Sequence, residues 1–313
     1  MVEKTENEKN VTIDIIIPTL NEGASLGPLL ESIRSHKFTH TVSTFIIDGG
    51  STDDTAEICK KHGVVFLKQK RKGKGEAMKQ AVNYSNADIV VFMDGDDTYS
   101  INDFENIIQP LIDDSADMAV GSRINNQMEK GSITIINKIG NSLFNKIINF
   151  ALKDTLTDSL SGYRAIRKEV FSDLVLLSNH FEIEVEMTVE ALSQGYRIKE
   201  IPIKYVNRKK TETKLNPIDD GIKIGKTLLF VIMNIRPVLF FSIFASGFIG
   251  LGLVTGIWVL YQRYVLDGSL YTPLVVLTTL FIIMGTMSIV LGLISELIVR
   301  SRKRMEYIIK TSR

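Results

Sequence analysis

The residues best suited to chemistry in this chain are carboxylates that follow directly on apolar runs. Asp94-Gly95-Asp96-Asp97 follows DIVVFM, Asp48-Gly49-Gly50-Ser51-Thr52-Asp53 follows TVSTFII, and Pro18-Thr19-Leu20-Asn21-Glu22 overlaps the end of TIDIIIP. Three aspartates within four positions concentrate like charge, which is costly unless a cation neutralises it. Oxygen ligands without sulfur or imidazole favour Mg2+ or Mn2+. Such an ion, held by one or two carboxylates and completed by phosphate oxygens, suits a nucleotide diphosphate leaving group, on whose oxygen charge develops in the transition state. Asp94 and Asp96 are thus the candidate metal ligands, while Asp97 suits either a ligand or the cap of the next helix. Asp48 and Glu22 suit hydrogen bonds to a base and ribose, or equally the capping of the helices that follow them.

These turns need elements to hold them on one rim. Short β-branched runs alternate with stretches of helical period: TIDIIIP with Gly23 to Lys37, TVSTFIID with Ser51 to His62, VVFLK with Gly73 to Ser85, DIVVFMD with Asp103 to Ser115, and a closing DMAVG. Runs that are apolar throughout, such as IVVFM, or at all but one position, such as IDIII with its single Asp14, predict strands buried on both faces, and so a mainly parallel α/β sheet flanked by helices. Ligands of such sheets bind at the carboxyl ends of the strands, where all these turns, and Gly121-Ser122-Arg123 after the fifth run, fall. Neither G-x-G-x-x-G nor G-x-x-x-x-G-K-[ST] occurs, which disfavours a dinucleotide dehydrogenase and a P-loop ATPase.

The rest of the chain has a different solvent. Pro237 to Val299 holds only three charged residues, Arg263, Asp267 and Glu296. Within it, Pro237 to Tyr261 (25 residues) and Thr272 to Ser295 (24 residues) carry no charge, and each is long enough to cross a bilayer as a helix. The segment from Arg300 to Arg313 has six basic residues and one acidic, which marks the cytoplasmic side and predicts that both termini and the soluble domain are cytoplasmic. The polar first ten residues, without an apolar signal core, agree. The expected organisation is a polar segment 1–11, a catalytic domain 12–215, an interfacial amphipathic segment 216–236, a two-helix hairpin 237–299 and a basic tail 300–313, with the lipid bilayer as partner and assembly of copies through the spans as an option. The single cysteine, Cys59, excludes a disulfide framework, the four histidines lack zinc spacing, and residues 1–236 carry a net charge of −3, which argues against nucleic acid.

Taken in order, the Pro18 to Glu22 and Asp48 to Asp53 turns, Lys72-Gly73-Lys74-Gly75, Asp94-Gly95-Asp96, Gly121-Ser122-Arg123, and Asp158 through Ser161-Gly162-Tyr163-Arg164 resemble the family 2 glycosyltransferases of GT-A fold. Within that family the chain is most similar to the polyprenyl-phosphate glycosyltransferases, the dolichyl-phosphate glucose, N-acetylglucosamine and mannose synthases. The resemblance runs from about Thr12 to Lys214. It implies inverting transfer of one sugar from a nucleotide diphosphate donor to dolichyl or polyprenyl phosphate, for protein glycosylation or cell-surface glycan assembly. Pro18, Glu22, Asp48, Lys74 and Asp94 would bind the donor, and Asp94 and Asp96 the Mg2+ or Mn2+. Arg123, Lys138, Asn141, Arg208 and Lys214 would cradle the acceptor phosphate. Asp158 would orient hydroxyls or brace a turn, and Glu182 would contact the sugar or only favour the helix dipole. Two departures stand out: Gly49 replaces a frequent second aspartate, and Asp97-Thr98-Tyr99-Ser100 replaces the Leu-Gln-His-Pro of many mannose synthases. The latter favours UDP-glucose or UDP-N-acetylglucosamine over GDP-mannose. A nucleotidyltransferase, a processive polysaccharide synthase and a non-catalytic membrane scaffold or lipid-translocation helper are the competing classes. The first lacks its glycine-rich basic loop here, the second needs more spans, and the third has no use for the carboxylate rim.

Overall fold

The computed structural model describes residues 11–123, 145–146, 149, 155–180, 182–206, 233, 237–266 and 272–311. Lys138, Asn141, Arg208, Lys214 and all of the 216–236 segment except Met233 lie outside them. The chain divides into two compact units, Met1–Ile224 and Gly225–Arg313.

In the first unit the apolar runs become the strands β1 (Thr12–Thr19), β2 (Thr41–Asp48), β3 (Val65–Lys68), β4 (Ile89–Phe92) and β5 (Met118–Ser122). Between them lie α1 (Gly23–Ser35), α2 (Thr55–His62), α3 (Lys74–Tyr84) and α4 (Phe104–Ile112). Then follow β6 (Arg164–Arg167), α5 (Lys168–Asp173), α6 (Ile183–Ser193) and β7 (Ile198–Pro202). One sheet of seven strands in the order β3-β2-β1-β4-β6-β5-β7 joins them. β6 runs antiparallel to both of its neighbours, whereas the other pairings are parallel. The mainly parallel sheet flanked by helices matches the expectation; β6 was not legible, because RAIR is short and half charged.

Alternation along β1 shows why its run is apolar at both odd and even positions, with Asp14 the one interruption between Ile13 and Ile17. Ile13, Ile15 and Ile17 pack with Leu26, Leu29 and Leu30 of α1 and with Phe104, Ile107 and Leu111 of α4. Ile16 joins Met78 and Ala81 of α3, Phe171 of α5 and Met187 of α6. Side chains of a strand alternate between faces, so a strand with a helical layer on each side is apolar at most positions; the exception within Ile13 to Ile17 is Asp14, only 6% exposed.

The strand order also fixes where a ligand can bind. From β1 the chain turns toward β2 and β3 on one side, and from β4 it leaves toward β5 on the other. Connections that diverge in this way open a crevice at the carboxyl ends of the two central strands.

The second unit consists of α7 (Pro237–Tyr264, 28 residues) and α8 (Thr272–Thr311, 40 residues). Pro237–Tyr264 and Thr272–Ser301 are each long and apolar enough to cross a membrane. The two helices pack antiparallel: a Cβ at Gly292 would meet Phe241, one at Gly285 would meet Ile249, and one at Gly252 would meet Ile282. Small residues at such contacts let backbones approach, which replaces the hydrophobic drive that lipid removes. Thr278 Oγ1 donates to Thr255 Oγ1 across the pair at 2.9 Å. Leu253, Val254, Ile257, Ile294 and Leu297 are exposed.

Candidate active site

The crevice between β1 and β4 is a cleft of about 850 Å3. Pro18, Thr19, Leu20 and Glu22 line it from the end of β1, Asp94, Gly95 and Asp96 from the end of β4, and Lys72, Gly73 and Lys74 from the start of α3. Gly49, Gly50, Gln69 and His180 complete the wall.

Each turn on this rim is held by its neighbour. Asn21 adopts a left-handed conformation (φ 55°), which its short polar side chain tolerates. Its backbone N–H donates to Ser51 Oγ at 2.8 Å, and its Oδ1 accepts from the Thr52 N–H at 2.8 Å, so the β1–α1 and β2–α2 turns are laced together. Asp53 Oδ2 accepts from the Gly23 N–H (2.9 Å) while its Oδ1 takes the Thr55 hydroxyl (2.5 Å). Burial alone would raise the Asp53 pKa, but these hydrogen bonds hold it below the usual carboxylate range. Ser25 Oγ donates to the Gly95 carbonyl at 2.8 Å and so ties the start of α1 to the aspartate turn.

Asp48 is 6% exposed, and its carboxylate accepts from the backbone of Gly50 and Ser51 and from Ser51 Oγ (2.5 Å). The carboxylate thus braces its own turn, and Gly49 and Gly50 present the cleft wall beside it. A Cβ at Gly49 would stand 3.1 Å from Gln69 Oε1 and 3.3 Å from the Thr19 carbonyl, so a second aspartate there would force Gln69 to give way. Thr19 Oγ1 is buried in the cleft without a hydrogen-bond partner among the described residues.

Across the cleft, Lys74 Nζ lies 2.5 Å from Asp94 Oδ1 and 2.6 Å from Glu184 Oε1. Burial would lower the Lys74 pKa, but the two carboxylates more than offset it, so the group stays an ammonium. Glu184, on α6, meets Lys74 from behind the cleft lining, and Glu186 on the same helix accepts from the N–H groups of Leu177 and Ser178. That fixes the segment whose Asn179 carbonyl takes the Gly75 N–H at 2.9 Å. Asp96 Oδ1 accepts from Thr98 Oγ1 at 2.6 Å.

Asp94 and Asp96 share the cleft, as cation binding requires. Among the described residues no group of three His, Cys, Asp or Glu forms a closed protein cage. Two hard carboxylates in an open cleft nonetheless fit Mg2+ or Mn2+, which keep positions for phosphate oxygens and water.

Arg123 and Asp158 meet behind this wall. Arg123 Nε and Nη2 each lie 2.8 Å from a different Asp158 oxygen, and the Arg123 backbone N–H donates to Oδ2 at 2.9 Å. Asp158 is fully buried. Burial opposes the Arg123 charge, but neighbouring Tyr99 and the Asp158 carboxylate outweigh it and raise the pKa. The guanidinium also sits over the Tyr205 ring, 5.5 Å from its centroid. The Asp158 to Ser161 turn is secured by Arg164, which is wholly buried and donates to the carbonyls of Ser159 and Ser161 and to Thr188 Oγ1. Burial lowers the Arg164 pKa to about 10. Tyr99 links the two walls by accepting the Gly162 N–H on its hydroxyl at 3.0 Å.

The structure therefore brings Pro18, Glu22, Lys74, Asp94 and Asp96 onto one cleft, sets Asp48 in its supporting turn, and pairs Arg123 with Asp158. Glu182 stands at the N-terminal cap position of α6, without a side-chain capping hydrogen bond, and is absent from the cleft lining. Sequence reasoning missed Glu184, Gln69, His180 and Tyr99. For Glu184 the one signal was its alternation with apolar neighbours in IEVEM, which places a carboxylate where burial demands a partner.

Comparison with known proteins places this geometry. Residues 14–175 match the family described as Glycosyl transferase family 2. Glycosyltransferase AglJ of Haloferax volcanii is 33% identical over 288 residues, covering 91% of this chain and 92% of that protein. The dolichyl-phosphate hexose transferase of the same organism is 32% identical, over 71% of this chain and 94% of the relative. A UDP-N-acetylglucosamine--dolichyl-phosphate N-acetylglucosaminyltransferase of Methanococcus voltae is 30% identical, over 71% and 96%. Among solved structures, glucosyl-3-phosphoglycerate synthase of Mycobacterium tuberculosis in complex with Mn2+ and UDP-glucose superimposes with a TM-score of 0.59 at 20% identity, over 71% of this chain and 79% of that one, a likeness of fold. The cleft and its sheet define a GT-A-type glycosyltransferase. The chain belongs to glycosyl transferase family 2.

Proposed function

We propose that this enzyme transfers a single hexose or N-acetylhexosamine, with inversion, from UDP-glucose or UDP-N-acetylglucosamine to dolichyl or polyprenyl phosphate at the cytoplasmic face of a membrane. The observation that carries the proposal is the cleft between β1 and β4, where Asp94, Asp96 and Lys74 converge at the topological switch point. The relatives named for dolichyl phosphate and the two apolar helices support a lipid acceptor. The solved neighbour bound to Mn2+ and UDP-glucose supports a divalent ion beside a nucleotide sugar.

The donor lies with its nucleoside against Pro18, Thr19 and Glu22 and its diphosphate toward Lys74, whose charge is opposite in sign. Asp94 and Asp96 would hold the cation, which would stabilise charge on the leaving diphosphate. An oxygen of the acceptor phosphate attacks the anomeric carbon from the face opposite the diphosphate. The new C–O bond forms as the old one breaks, and the nucleoside diphosphate leaves with the electron pair. A phosphate monoester, with a second pKa of about 6, is already largely a dianion at neutral pH, so no protein base has to remove a proton. Arg123 contributes positive charge on the acceptor side, with Lys138, Asn141, Arg208 and Lys214 proposed beside it. Domain 12–215 carries the reaction, 216–236 lies at the interface, and 237–299 anchors the chain with segment 300–313 cytoplasmic.

Membranes containing the full chain, supplied with radiolabelled UDP- and GDP-sugars and polyprenyl phosphate, test this reading. Label from UDP-glucose or UDP-N-acetylglucosamine should enter the organic phase. Transfer from GDP-mannose alone would make the enzyme a mannose synthase, and label in a water-soluble product alone would exclude the lipid acceptor.

A further inference from the structure

The ammonium of Lys74 occupies a position that electrostatics would otherwise assign to a metal ion. It contacts Asp94 Oδ1 at 2.5 Å and Glu184 Oε1 at 2.6 Å, with side chains that are only 13% (Lys74) and 5% (Glu184) exposed. A cation arriving alone at Asp94 must therefore compete with a positive charge already paired to the same oxygen. At an effective dielectric of about 20, two unit charges 4 Å apart interact by several kcal/mol, so this competition is large on the scale of metal affinity. A cation arriving with a diphosphate meets the reverse situation, because phosphate oxygens supply negative charge that both the ion and the ammonium can share. Glu184 then has a distinct task. It is the second partner that keeps Lys74 in the cleft when Asp94 turns to the ion.

We propose that Lys74 is a resident cation of the donor cleft, which suppresses metal binding at Asp94 until nucleotide is present, and that Glu184 is the positioning residue that retains Lys74 through the exchange. The inference rests on the donor reading above and deepens it, by making ion and nucleotide binding mutually dependent. No bond to carbon or phosphorus changes, and the exchange is one of partners: Asp94 passes from ammonium to metal while the ammonium keeps Glu184. By linkage, a factor that suppresses the ion without nucleotide must appear equally as enhancement of each by the other.

The test is Mn2+ binding followed by electron paramagnetic resonance on the purified full chain in detergent, with and without UDP. In the wild type, UDP should tighten Mn2+ binding by about tenfold or more. Lys74→Met should bind Mn2+ alone about tenfold more tightly than the wild type, and its enhancement by UDP should shrink by the same factor, leaving the part that direct phosphate coordination supplies. Glu184→Gln should do the opposite: with Asp94 as the sole carboxylate of this pairing, Lys74 holds it more firmly, so Mn2+ alone binds more weakly and the Mn2+–UDP complex weakens as well. Glu184→Asp should restore part of the coupling. A merely structural role predicts weaker Mn2+ binding in both Lys74→Met and Glu184→Gln, and that result, or unchanged Mn2+ affinity in Lys74→Met, overturns the inference. Should Lys74→Met fail to fold, Lys74→Gln, which removes the charge but keeps a polar group against both carboxylates, takes its place with the same expectation of tighter Mn2+ binding alone. A wild type that binds no Mn2+ even with UDP would overturn the donor reading together with this one, whereas UDP-dependent Mn2+ binding that is insensitive to Lys74 would overturn this one alone.

Discussion

Gly162 lies against the Asp94 carboxylate, close enough that a Cβ built at position 162 would stand 2.7 Å from Oδ2 and 3.1 Å from Oδ1. The glycine thus sets how far the carboxylate can retreat from the cleft, and its own N–H is fixed by the Tyr99 hydroxyl. Gly162→Ala should push the carboxylate toward Lys74 without opening the core. Because catalytic misplacement on the order of 1 Å costs about a hundredfold, turnover should fall by roughly 10- to 100-fold while the thermal midpoint moves by only a few degrees. Wild-type turnover in Gly162→Ala would show that the position of Asp94 does not limit the reaction.

The Arg123–Asp158 pair makes the acceptor side a stability question as well as a binding one. Asp158 is fully buried, so Arg123→Ala leaves a carboxylate without its guanidinium partner, a loss worth about 3–5 kcal/mol. The double variant Arg123→Ala, Asp158→Asn removes the charge together with its partner, and chemical denaturation should show it recovering part of that loss. Folded Arg123→Ala should show a higher apparent KM for the lipid phosphate with Mn2+-dependent UDP binding near normal. Arg123→Lys keeps charge but not the fork, so its rescue should be partial. Loss of UDP binding with an unchanged lipid KM would move this arginine to the donor side.

Membrane orientation can be read with the native cysteine in place. Cys59 is buried, and burial, with the Asp48 carboxylate, pushes its thiol pKa up to about 11. At pH 8 only about a thousandth of such a thiol is thiolate, the reactive form. Folded protein should therefore resist maleimide near neutral pH, react faster as pH rises toward 11, and label fully once denatured. A cysteine placed at Ser269 should be labelled from outside intact cells by an impermeant maleimide. Labelling only after the cytoplasmic face is opened would reverse the proposed topology.

The legible part of this protein was the part governed by repetition. Ile13, Ile15, Ile16 and Ile17 put apolar side chains on both faces, so the run, despite Asp14, revealed a buried parallel strand, and the turn after it was then bound to lie at the ligand rim. The same logic put Asp94, Asp96 and Glu22 on that rim, whereas Lys74 entered only through the family resemblance. What stayed hidden depends on contacts distant in sequence: the pairing of Lys74 with Glu184, 110 positions away in the chain, and the burial of Arg164 under carbonyls of its own turn. Neither has a periodic signature. β6 was hidden for a different reason, since a four-residue strand that begins and ends in arginine reads as surface until its neighbours bury it.

Whether the aspartates of this cleft carry the transfer is most directly measured by sugar transfer to polyprenyl phosphate in membranes bearing wild type, Asp94→Asn or Asp96→Asn. Transfer by the wild type should be abolished by EDTA and restored by Mn2+ or Mg2+. Each variant, though folded and present at wild-type level, should transfer at least about a hundredfold more slowly, because each weakens the hold on the ion that stabilises the leaving diphosphate. Near-normal, fully metal-dependent transfer by either variant would contradict the account and place the ion elsewhere.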